Sequence, residues 1–295
     1  MLTPFAIAEQ FGHIITRQQL LRSGLTGSDL TRAVRTGELR RIRQAHYATA
    51  KASAEAIAAT RVGGMLCGVS AARSFGLWGG LDTRLHVALP GNAGRLRTNY
   101  PPSTIPSLQL GGRLTPDTSD RAVVLHWGIA ETGWRVTLAE CLKQVALWSD
   151  RETAIACLDT AWKPYGISAL RLTAIFADEP PRSRQLAAES RPGSDSGLES
   201  LIRQRLGRHG IALRQQVEMP RVGRIDLGIV GTLLIIEADG YEFHSSSAAF
   251  EEDRRRDAEL AAMGYVVIRL TYAQITGDWE WCERVILAAI ASFRK

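Results

Sequence analysis

Residues 222–240 read VGRIDLGIVGTLLIIEADG, in which two apolar stretches flank Gly231 and Thr232. In the first stretch every second residue from Ile225 is apolar, which is typical of a strand with one buried face. The second stretch, residues 233–236, is continuously apolar and favours a fully buried strand. A glycine-containing pair between two such stretches is typical of a two-residue hairpin turn. The segment therefore predicts a β-hairpin.

The predicted turn also sets the register of the two strands. If Val230 pairs with Leu233, counting outward along both strands places Asp226 opposite Glu237. Directly opposed side chains have Cβ atoms about 4.5–5.5 Å apart, and like charges there are destabilising. A divalent cation between the carboxylates would remove this repulsion, since Mg²⁺ prefers carboxylate oxygens. Asp239 is expected on the same face as Glu237, so the hairpin predicts a metal site that gathers three carboxylates.

Further helices and strands are predicted on both sides of the hairpin. They are a helix from Ser196, a strand at residues 213–219, a helix from about Ser247 to Met263, a strand at residues 265–271 and a helix from about Asp278. The resulting order is α-β-β-β-α-β-α.

This order, with an Asp followed by Glu-x-Asp on a central hairpin, resembles the PD-(D/E)XK nuclease fold. The closer resemblance is to very-short-patch-repair-like endonuclease domains. The stretches that carry it are SGLE (196–199), GRIDL (223–227), IEADG (236–240), FHS (243–245), DRRRD (253–257) and residues 264–269. The resemblance covers about residues 196–293 and implies a restriction-endonuclease-like αβββαβα domain that hydrolyses phosphodiester bonds in DNA.

The resemblance also implies roles for individual residues. Asp226 and Glu237 would bind Mg²⁺ or Mn²⁺, and Glu199 would assist from the first helix. Asp239 stands where this superfamily usually has a lysine that helps to polarise water. His244 is then a candidate general base, because the ordinary pKa of histidine lies near neutrality.

Each of these side chains also has a simpler interpretation. Glu199 lies three residues after Ser196, where it would form a capping box that only starts the helix and has no catalytic role. Asp239 would only form a turn, and His244 would be a structural or surface histidine. Arg255, a candidate phosphate contact, lies in a charged run of the kind that usually forms a solvated helix face.

Residues 1–52 predict a second kind of module. Thr16 begins a short helix, a turn follows, and a second helix starts at about Ser28 and ends at Gly37. Residues 39–48 alternate as in a basic, two-stranded wing. Helix, turn, helix and wing in this order are typical of a winged helix-turn-helix, whose second helix enters the major groove of DNA.

Candidate DNA contacts follow from that placement. The side chains expected to face DNA are Ser28, Thr31, Arg32 and Arg35 from the second helix, and Arg40, Arg41 and Arg43 from the wing. Wing arginines would lie against phosphates, which position a protein rather than specify sequence. The alternative is a small helical domain with a solvated basic face.

The N-terminal residues resemble the winged helix of abortive-infection (type IV toxin–antitoxin) antitoxins. The likeness continues loosely through GVSAARSFGLWG (68–79), LHVALP (85–90) and CLDTAWKPYGIS (157–168). It implies a transcriptional regulator that binds its own operator, with a cognate toxin protein as a further partner. Where this family has an Arg-Thr-x-x-Asp stretch, the chain has LAECLKQ (138–144).

Charge and composition narrow the class of protein. The 295 residues carry a formal net charge of +6, but residues 191–295 hold 14 basic and 15 acidic residues, so the basic excess lies before them. No apolar run approaches the roughly 20 residues of a membrane span, and the start lacks the pattern of a secretory signal. The four cysteines form no CxxC pair, which fits a reducing cytosol. We expect a cytoplasmic protein without a membrane partner.

The sequence thus predicts an α+β and α/β multidomain chain. Its expected parts are a winged helix-turn-helix at residues 1–52, a mixed α/β antitoxin-like region at 53–178, a linker at 179–195 and the endonuclease-like domain at 196–295. The expected function is metal-dependent cleavage of DNA. The alternatives are an antitoxin-like regulator whose inactive nuclease-like domain binds DNA or a partner, and a nuclease that acts on RNA. The oligomeric state stays open.

Overall fold

The structure is a computed structural model that describes residues 2–94, 96, 123–129, 133–239 and 247–293. These described residues form two compact units, one up to Trp148 and one from Ser149 onward. Within the same ranges, no helix combines the length and the apolar character that a membrane crossing requires.

The first unit opens with three short helices and a three-stranded sheet. Their bounds are α1 Pro4–Gln10, β1 Ile14–Thr16, α2 Arg17–Arg22, α3 Gly27–Arg35, β2 Arg40–Arg43 and β3 His46–Ala48. The strands pair antiparallel in the order β1-β3-β2. Ile7, Leu20 and Leu30, one from each helix, are buried in a common core with Leu39.

Capping residues determine where the second and third helices begin. A capping box starts α2 at Thr16, as the sequence predicts. The helix α3 begins slightly earlier than predicted, at Gly27, because Thr26 and Asp29 form another capping box. After α3 the chain turns at Gly37, whose φ of +79° is a conformation that favours glycine.

A mixed sheet and three helices make up the rest of the first unit. The elements are α4 Ala54–Val62, β4 Met65–Leu66, α5 Gly68–Ser74, β5 Leu85–Leu89, β6 Val123–Trp127 and α6 Leu138–Trp148. The central strand β5 is antiparallel to β4 and parallel to β6. All five residues of β5 are buried, and α5 packs against α6.

Side-chain contacts join the first helices and strands to the residues that follow them. The Arg43 guanidinium donates a hydrogen bond to the Arg61 carbonyl at 2.7 Å. Gly12 lies so close to the Trp134 ring that a Cβ at this glycine would be 2.5 Å from the indole nitrogen. The residues before 53 are therefore packed into a larger compact unit.

The second unit contains seven helices and one four-stranded sheet in its described residues. The elements are α7 Arg151–Ala161, α8 Ala169–Ile175, α9 Pro181–Glu189, α10 Gly197–Gly207, β7 Leu213–Met219, β8 Gly223–Ile229, β9 Leu234–Asp239, α11 Ser247–Ala262, β10 Val266–Thr271, α12 Tyr272–Gly277 and α13 Trp279–Ser292. The sheet order is β10-β9-β8-β7, with β10 parallel to β9 and the other pairs antiparallel. From α10 onward the predicted order is observed, with the short helix α12 added before the last helix.

The linker predicted at residues 179–195 is wrong as a description of local structure. Pro181 occupies the first position of α9, where a proline ring fits a helix and no N–H is needed. Behind this helix, the Ser190 hydroxyl and the Arg191 N–H both donate to the Asp159 carboxylate, at 3.0 and 2.8 Å. The polar composition predicts a loop, but Ser190 and Arg191 have a partner on α7.

The central hairpin has the predicted register but a longer connection. Leu227 pairs with Ile236 and Gly228 with Ile235, as counting from the predicted turn requires. The predicted two-residue turn is wrong, because β8 ends at Ile229 and β9 begins at Leu234. The register is the same in both cases, because a four-residue connection between Ile229 and Leu234 and a two-residue turn between Val230 and Leu233 align the strands identically.

Candidate functional site

Asp226 lies where the hairpin strands separate. The last paired residues of β8 and β9 are Leu227 and Ile236, so the pairing stops one residue short of Asp226. There the Asp226 carboxylate accepts a hydrogen bond from the Ala238 N–H at 3.1 Å. On the other side of β8 lies β7, whose residue Gln216 has a φ of +52°. Gln216 and Asp226 are both left out of the pairing between β7 and β8. The distortion on both sides of Asp226 marks a special position in an otherwise regular sheet.

Glu199 is a buried carboxyl on the first turn of α10. Its side chain is held by two donors, the Asp195 N–H at 3.1 Å and the Gln216 side-chain amide at 2.7 Å. Ser196 caps the helix by accepting from the Glu199 N–H at 3.2 Å. The capping box is therefore only half formed, because the Glu199 carboxylate binds Asp195 and Gln216 instead of the Ser196 N–H.

Glu199, Asp226 and Asp239 form an acidic cluster that brings together α10, β8 and β9. Burial raises the pKa of Glu199, and the negative charge of Asp226 raises it further, against the opposing hydrogen bond from Gln216. Burial likewise raises the pKa of Asp239; Arg269 opposes this shift, while Asp226 and Asp253 add to it. Perturbed carboxyl groups that influence each other are a frequent property of functional sites.

Glu237, by contrast, is compensated by arginines. The Arg269 Nε donates to Glu237 Oε2 at 2.9 Å, and an Arg256 nitrogen lies 3.6 Å from Glu237 Oε1. Arg269 stands directly beside Glu237 because β9 and β10 pair in parallel with these two residues in register. Arg269 also binds Asp257 on α11. Glu237 is therefore held by arginines, whereas Asp226 and Asp239 act on each other through their charges. That the three carboxylates share one metal site stays a prediction.

The carboxylates near the hairpin differ in how well they fit a divalent cation. Among the residues whose placement is described, no group of three or more His, Cys, Asp or Glu side chains is arranged to hold a metal ion. Mg²⁺ is nevertheless often held by one or two carboxylates and several waters. The Asp226 Oδ2 atom accepts the hydrogen bond from Ala238. The Arg256 guanidinium lies 3.6 Å from Glu237 Oε1, which is beyond hydrogen-bond distance. Two carboxylates with one oxygen each to offer fit such a cation.

The two remaining predicted site residues are Arg255 and His244. Arg255 is 63% exposed and pairs with Glu252 on its own helix, whereas its neighbour Arg256 approaches Glu237. His244 lies outside the residues that the structure describes.

Sequence reasoning missed Gln216, Arg256 and Arg269. Arg269 is the only charged residue of β10, and a single arginine in an apolar strand was a usable signal. Arg256 could not be distinguished from the adjacent arginines without the direction of each side chain. Gln216 gave no signal, because its role follows from a backbone conformation that the sequence does not reveal.

The predicted DNA contacts on α3 share one property, which is exposure to solvent. They are Ser28, Thr31, Arg32 and Arg35. The Thr31 hydroxyl donates to the Gly27 carbonyl, and Arg32 pairs with Asp29 one turn earlier. Val34 lies among these side chains and is 40% exposed, so this side of the helix has no partner within the described part of the unit.

The three wing arginines have different environments. Arg40 and Arg41 are exposed, and the pairing of β2 with β3 shifts between Arg41 and Arg43. Arg43 is half-buried and donates to the Arg61 carbonyl. Arg43 is therefore engaged in packing, and only the other two arginines stand free to meet an external anion.

Comparison with known proteins adds one finding on the second unit. The family model REase_MTES_1575, which describes a restriction endonuclease-like family, matches residues 198–290. The match begins in α10, ends in α13 and includes Glu199, Asp226, Glu237 and Asp239. It supports a nuclease-like domain in the C-terminal third of the chain. No curated protein matches the chain.

Proposed function

We propose that this protein binds DNA and that its C-terminal unit hydrolyses phosphodiester bonds with the help of a divalent cation. The observation that carries the proposal is the position of Asp226 inside the region of the nuclease-like match. Its carboxylate touches the N–H of Ala238, the residue after Glu237, at the point where the hairpin strands separate. This geometry supports a shared role for Asp226 and Glu237.

The proposed division of labour starts with these two carboxylates. Asp226 and Glu237 would hold Mg²⁺ or Mn²⁺ through the oxygens that their hydrogen bonds leave available. When bound, the cation supplies positive charge that offsets the charge on the phosphoryl oxygens and activates water. Arg269 keeps Glu237 in place and adds positive charge beside it, at a site that lacks the usual lysine.

Glu199 and Asp239 would handle protons next to the cation site. Both have pKa values raised by burial and by the charge of Asp226, so each holds a proton more readily than an ordinary carboxyl. A carboxyl group with a raised pKa is suited to general acid–base chemistry near neutral pH. His244 stays a proposed general base on the strength of the sequence resemblance alone.

The first unit would supply DNA affinity. The order α-β-α-α-β-β over residues 4–48 and the sheet order β1-β3-β2 support a winged helix-turn-helix. Ser28, Thr31, Arg32 and Arg35 would face the major groove, and Arg40 and Arg41 would lie against phosphates.

Cleavage is tested with plasmid and short duplex DNA in the presence of Mg²⁺ or Mn²⁺. Asp226→Ala and Glu237→Ala should each lower the rate by roughly 1,000-fold, the effect of losing several kcal/mol of charge stabilisation. Glu252→Ala, which removes an exposed carboxylate of α11, is the matched control and should cleave normally. Cleavage that survives both site substitutions would exclude the proposed cation site.

DNA binding is tested separately by gel shift over a range of salt concentrations. Arg40→Ala/Arg41→Ala should weaken binding to all sequences and lower the salt slope by about 2, or 1 for each lost phosphate contact. Arg171→Ala, an exposed arginine of the second unit, controls for the loss of positive charge. Unchanged affinity and slope in the double variant would contradict a DNA-binding wing.

A second function is favoured by the pairing of Glu237 with Arg269. This ion pair neutralises Glu237 without a metal ion. Such a pair suits an antitoxin-like transcriptional regulator whose nuclease-like domain only binds DNA or a toxin partner. A salt-sensitive gel shift without cleavage of any DNA would favour the regulator. Cleavage abolished by Asp226→Ala would favour the nuclease.

A further inference from the structure

A second polar cleft lies in the C-terminal unit, away from the acidic cluster. It has a volume of about 150 Å³ and is enclosed by α7, the end of α9 and α10. Three arginines line it, and they come from three different parts of the chain: Arg151, Arg191 and Arg203. The only carboxylate among the described lining residues is that of Glu189.

Arg203 is fixed in position by a buried carboxylate. The Asp159 side chain is fully buried and accepts from an Arg203 nitrogen at 2.6 Å. It also accepts from the Ser200 hydroxyl at 2.6 Å and from the Arg191 N–H at 2.8 Å. The Arg203 Nε–H, however, is buried and has no acceptor among the described residues. A guanidinium held this firmly keeps one strong donor unused.

Within the described residues, Gln204 has a buried acceptor without a donor, whereas Arg203 has a buried donor without an acceptor. Its side-chain amide nitrogen donates to the Glu152 carbonyl and to the Ser200 hydroxyl, both at 3.1 Å. These two bonds fix the orientation of the amide, because its oxygen could not bind a carbonyl. The Gln204 oxygen is buried and finds no donor in the described part of the chain, and the residue is only 8% exposed. A buried polar atom without a partner costs about 1–3 kcal/mol.

The charges around the cleft leave a positive excess. Arg151 pairs with Glu189, and Arg203 pairs with Asp159. Arg191 is exposed and makes no ion pair with any described residue. Arg191 thus adds a positive charge at the edge of the cleft, and two of the residues that line it, Arg203 and Gln204, each keep one polar atom unused by the described residues.

We propose that this cleft binds a phosphate group that carries an O–H. The phosphate oxygens would accept from the Arg203 Nε–H and from Arg191, and the O–H would donate to the Gln204 oxygen. Arginine is well suited to phosphate because its planar guanidinium matches the oxygens. Sulfate has similar size and charge but no proton to donate, so it would leave the Gln204 oxygen unpaired. Hydrogen phosphate satisfies both unused groups.

Two sources of phosphate are chemically reasonable, namely inorganic phosphate and the terminal monoester of a nucleic acid. A monoester has a second pKa near 6 and has mostly lost its O–H at neutral pH. The two sources therefore differ in the pH at which they suit Gln204. The inference is independent of the proposed cleavage chemistry, because it involves none of the acidic cluster.

Binding is measured on the full chain by titration calorimetry with inorganic phosphate and with sulfate, at pH 7.5 and constant ionic strength. We expect saturable phosphate binding and sulfate binding that is weaker by about tenfold, which corresponds to one unmet hydrogen bond. Arg191→Gln should weaken phosphate binding by about tenfold as well. Arg171→Gln is the matched control and should bind as the native protein does. No saturable phosphate binding, or equal binding in Arg191→Gln, would overturn the proposal.

The role of Gln204 is tested with Gln204→Met, which removes the unpaired oxygen. This variant should bind phosphate and sulfate with the same affinity. If it does not fold, as circular dichroism would reveal, the comparison of the two anions on the native protein decides, and equal affinities there overturn the proposal. Asp226→Ala should keep its phosphate affinity, so a failure of this inference is distinguishable from a failure of the cleavage proposal.

The source of the phosphate is determined with 5′-phosphorylated and 5′-hydroxyl oligonucleotides at pH 5.5 and 7.5. A preference for the phosphorylated strand that Arg191→Gln abolishes would assign the cleft to nucleic-acid ends. Phosphate binding without such a preference would assign it to inorganic phosphate. Binding of neither phosphate would contradict the inference.

Discussion

Glu199 shows at the scale of a single residue how a helix cap and a reactive group differ. Its backbone N–H takes part in the cap, but its carboxylate reaches Gln216 on β7 and the Asp195 N–H. The residue is only 4% exposed, and a helix cap does not need such burial. We infer that the burial of this carboxyl has a role beyond starting α10.

Substitution of Glu199 separates these two roles. Glu199→Gln keeps the size and one acceptor, so we expect cleavage to fall by about 100-fold or more while the free energy of unfolding changes by less than about 1 kcal/mol. Glu199→Ala should cost about 1–3 kcal/mol of unfolding free energy, because it leaves the Gln216 amide and the Asp195 N–H without an acceptor. The measurements are cleavage rates and urea denaturation. Normal cleavage by Glu199→Gln would leave only the structural role.

A hydrogen-bonded chain of two histidines lies in the first unit. The ionised Asp82 carboxylate accepts from His86 Nε2 at 3.1 Å, so His86 Nδ1 must accept from His126 Nε2, also at 3.1 Å. The His126 ring stacks on Trp148 with centroids 3.8 Å apart. Burial, and to a smaller extent the charge of His86, lower the pKa of His126 to about 4.

This chain predicts a loss of stability in mild acid. The unfolded chain takes up a proton at His126 below pH 6.5, whereas the folded state takes it up only near pH 4. Between these values the unfolded state binds more protons, so the free energy of unfolding falls as the pH is lowered. Because the ring is only half-buried and solvent screens part of the effect, we expect about 1 kcal/mol from His126.

The measurement is urea denaturation at several pH values between 4 and 7. His126→Phe keeps the stacking on Trp148 and should flatten the pH dependence over this window. His46→Gln, which changes a partly exposed histidine of β3 whose ring contacts only the Gln44 carbonyl among the described polar groups, is the control. An equal slope in the native protein and in His126→Phe would contradict the assignment.

At the scale of elements, the register of the β8–β9 hairpin does not depend on the details of its connection. Leu227, Ile229, Leu234 and Ile236 are all buried, and a slip of one residue between the strands would turn the apolar set of one strand to the opposite face of the sheet. The connection then adapts with Gly231 at a φ of +80°. The alternation of apolar residues thus carries the information that places Asp226 near β9.

Two glycines of this hairpin should respond differently to alanine. Gly231→Ala forces a side chain into a left-handed conformation and should cost about 1 kcal/mol of unfolding free energy. Gly228→Ala is the matched control, since its Cβ would meet the Ile225 side chain at an ordinary 3.7 Å and its φ is not left-handed. It should be neutral or slightly stabilising. Equal destabilisation by both substitutions, measured by thermal unfolding, would contradict the observed connection.

At the scale of the whole molecule, the boundary between the compact units lies before α7. This helix binds α10 through charged groups, because Asp159 holds Arg203 and Glu152 holds Arg205 at 2.8 Å. The C-terminal unit therefore includes helices that a boundary at residue 196 would remove. The nuclease-like match begins only at residue 198 and gives no sign of this dependence.

Two fragments test where the second unit begins. The fragment of residues 149–295 should unfold cooperatively, since it keeps α7 with α10. The fragment of residues 196–295 should be less stable by about 3–5 kcal/mol, because it exposes the side of α10 that packs against α7, and each Leu or Ile taken out of a core costs about 1.5–3 kcal/mol. Calorimetry and circular dichroism provide the comparison. Equal stability of the two fragments would place the boundary at the predicted linker.

The local pattern of the chain was sufficient for features that depend on neighbours in sequence. The apolar alternation of residues 223–236 determines the strands and their register, and Thr16 marks a helix start by its own hydrogen bonds. The acidic residues of the hairpin were also evident, because strand periodicity alone puts Asp226 near Glu237.

Tertiary structure decided which charges meet. Arg269 neutralises Glu237 only because β10 pairs in parallel with β9, and Glu199 meets Gln216 only because α10 packs beside a distorted β7. Asp159 turns a polar segment into a packed one by the same kind of distant contact. The physical reason is that an electrostatic interaction depends on distance in space, whereas hydrophobic periodicity is written along the chain.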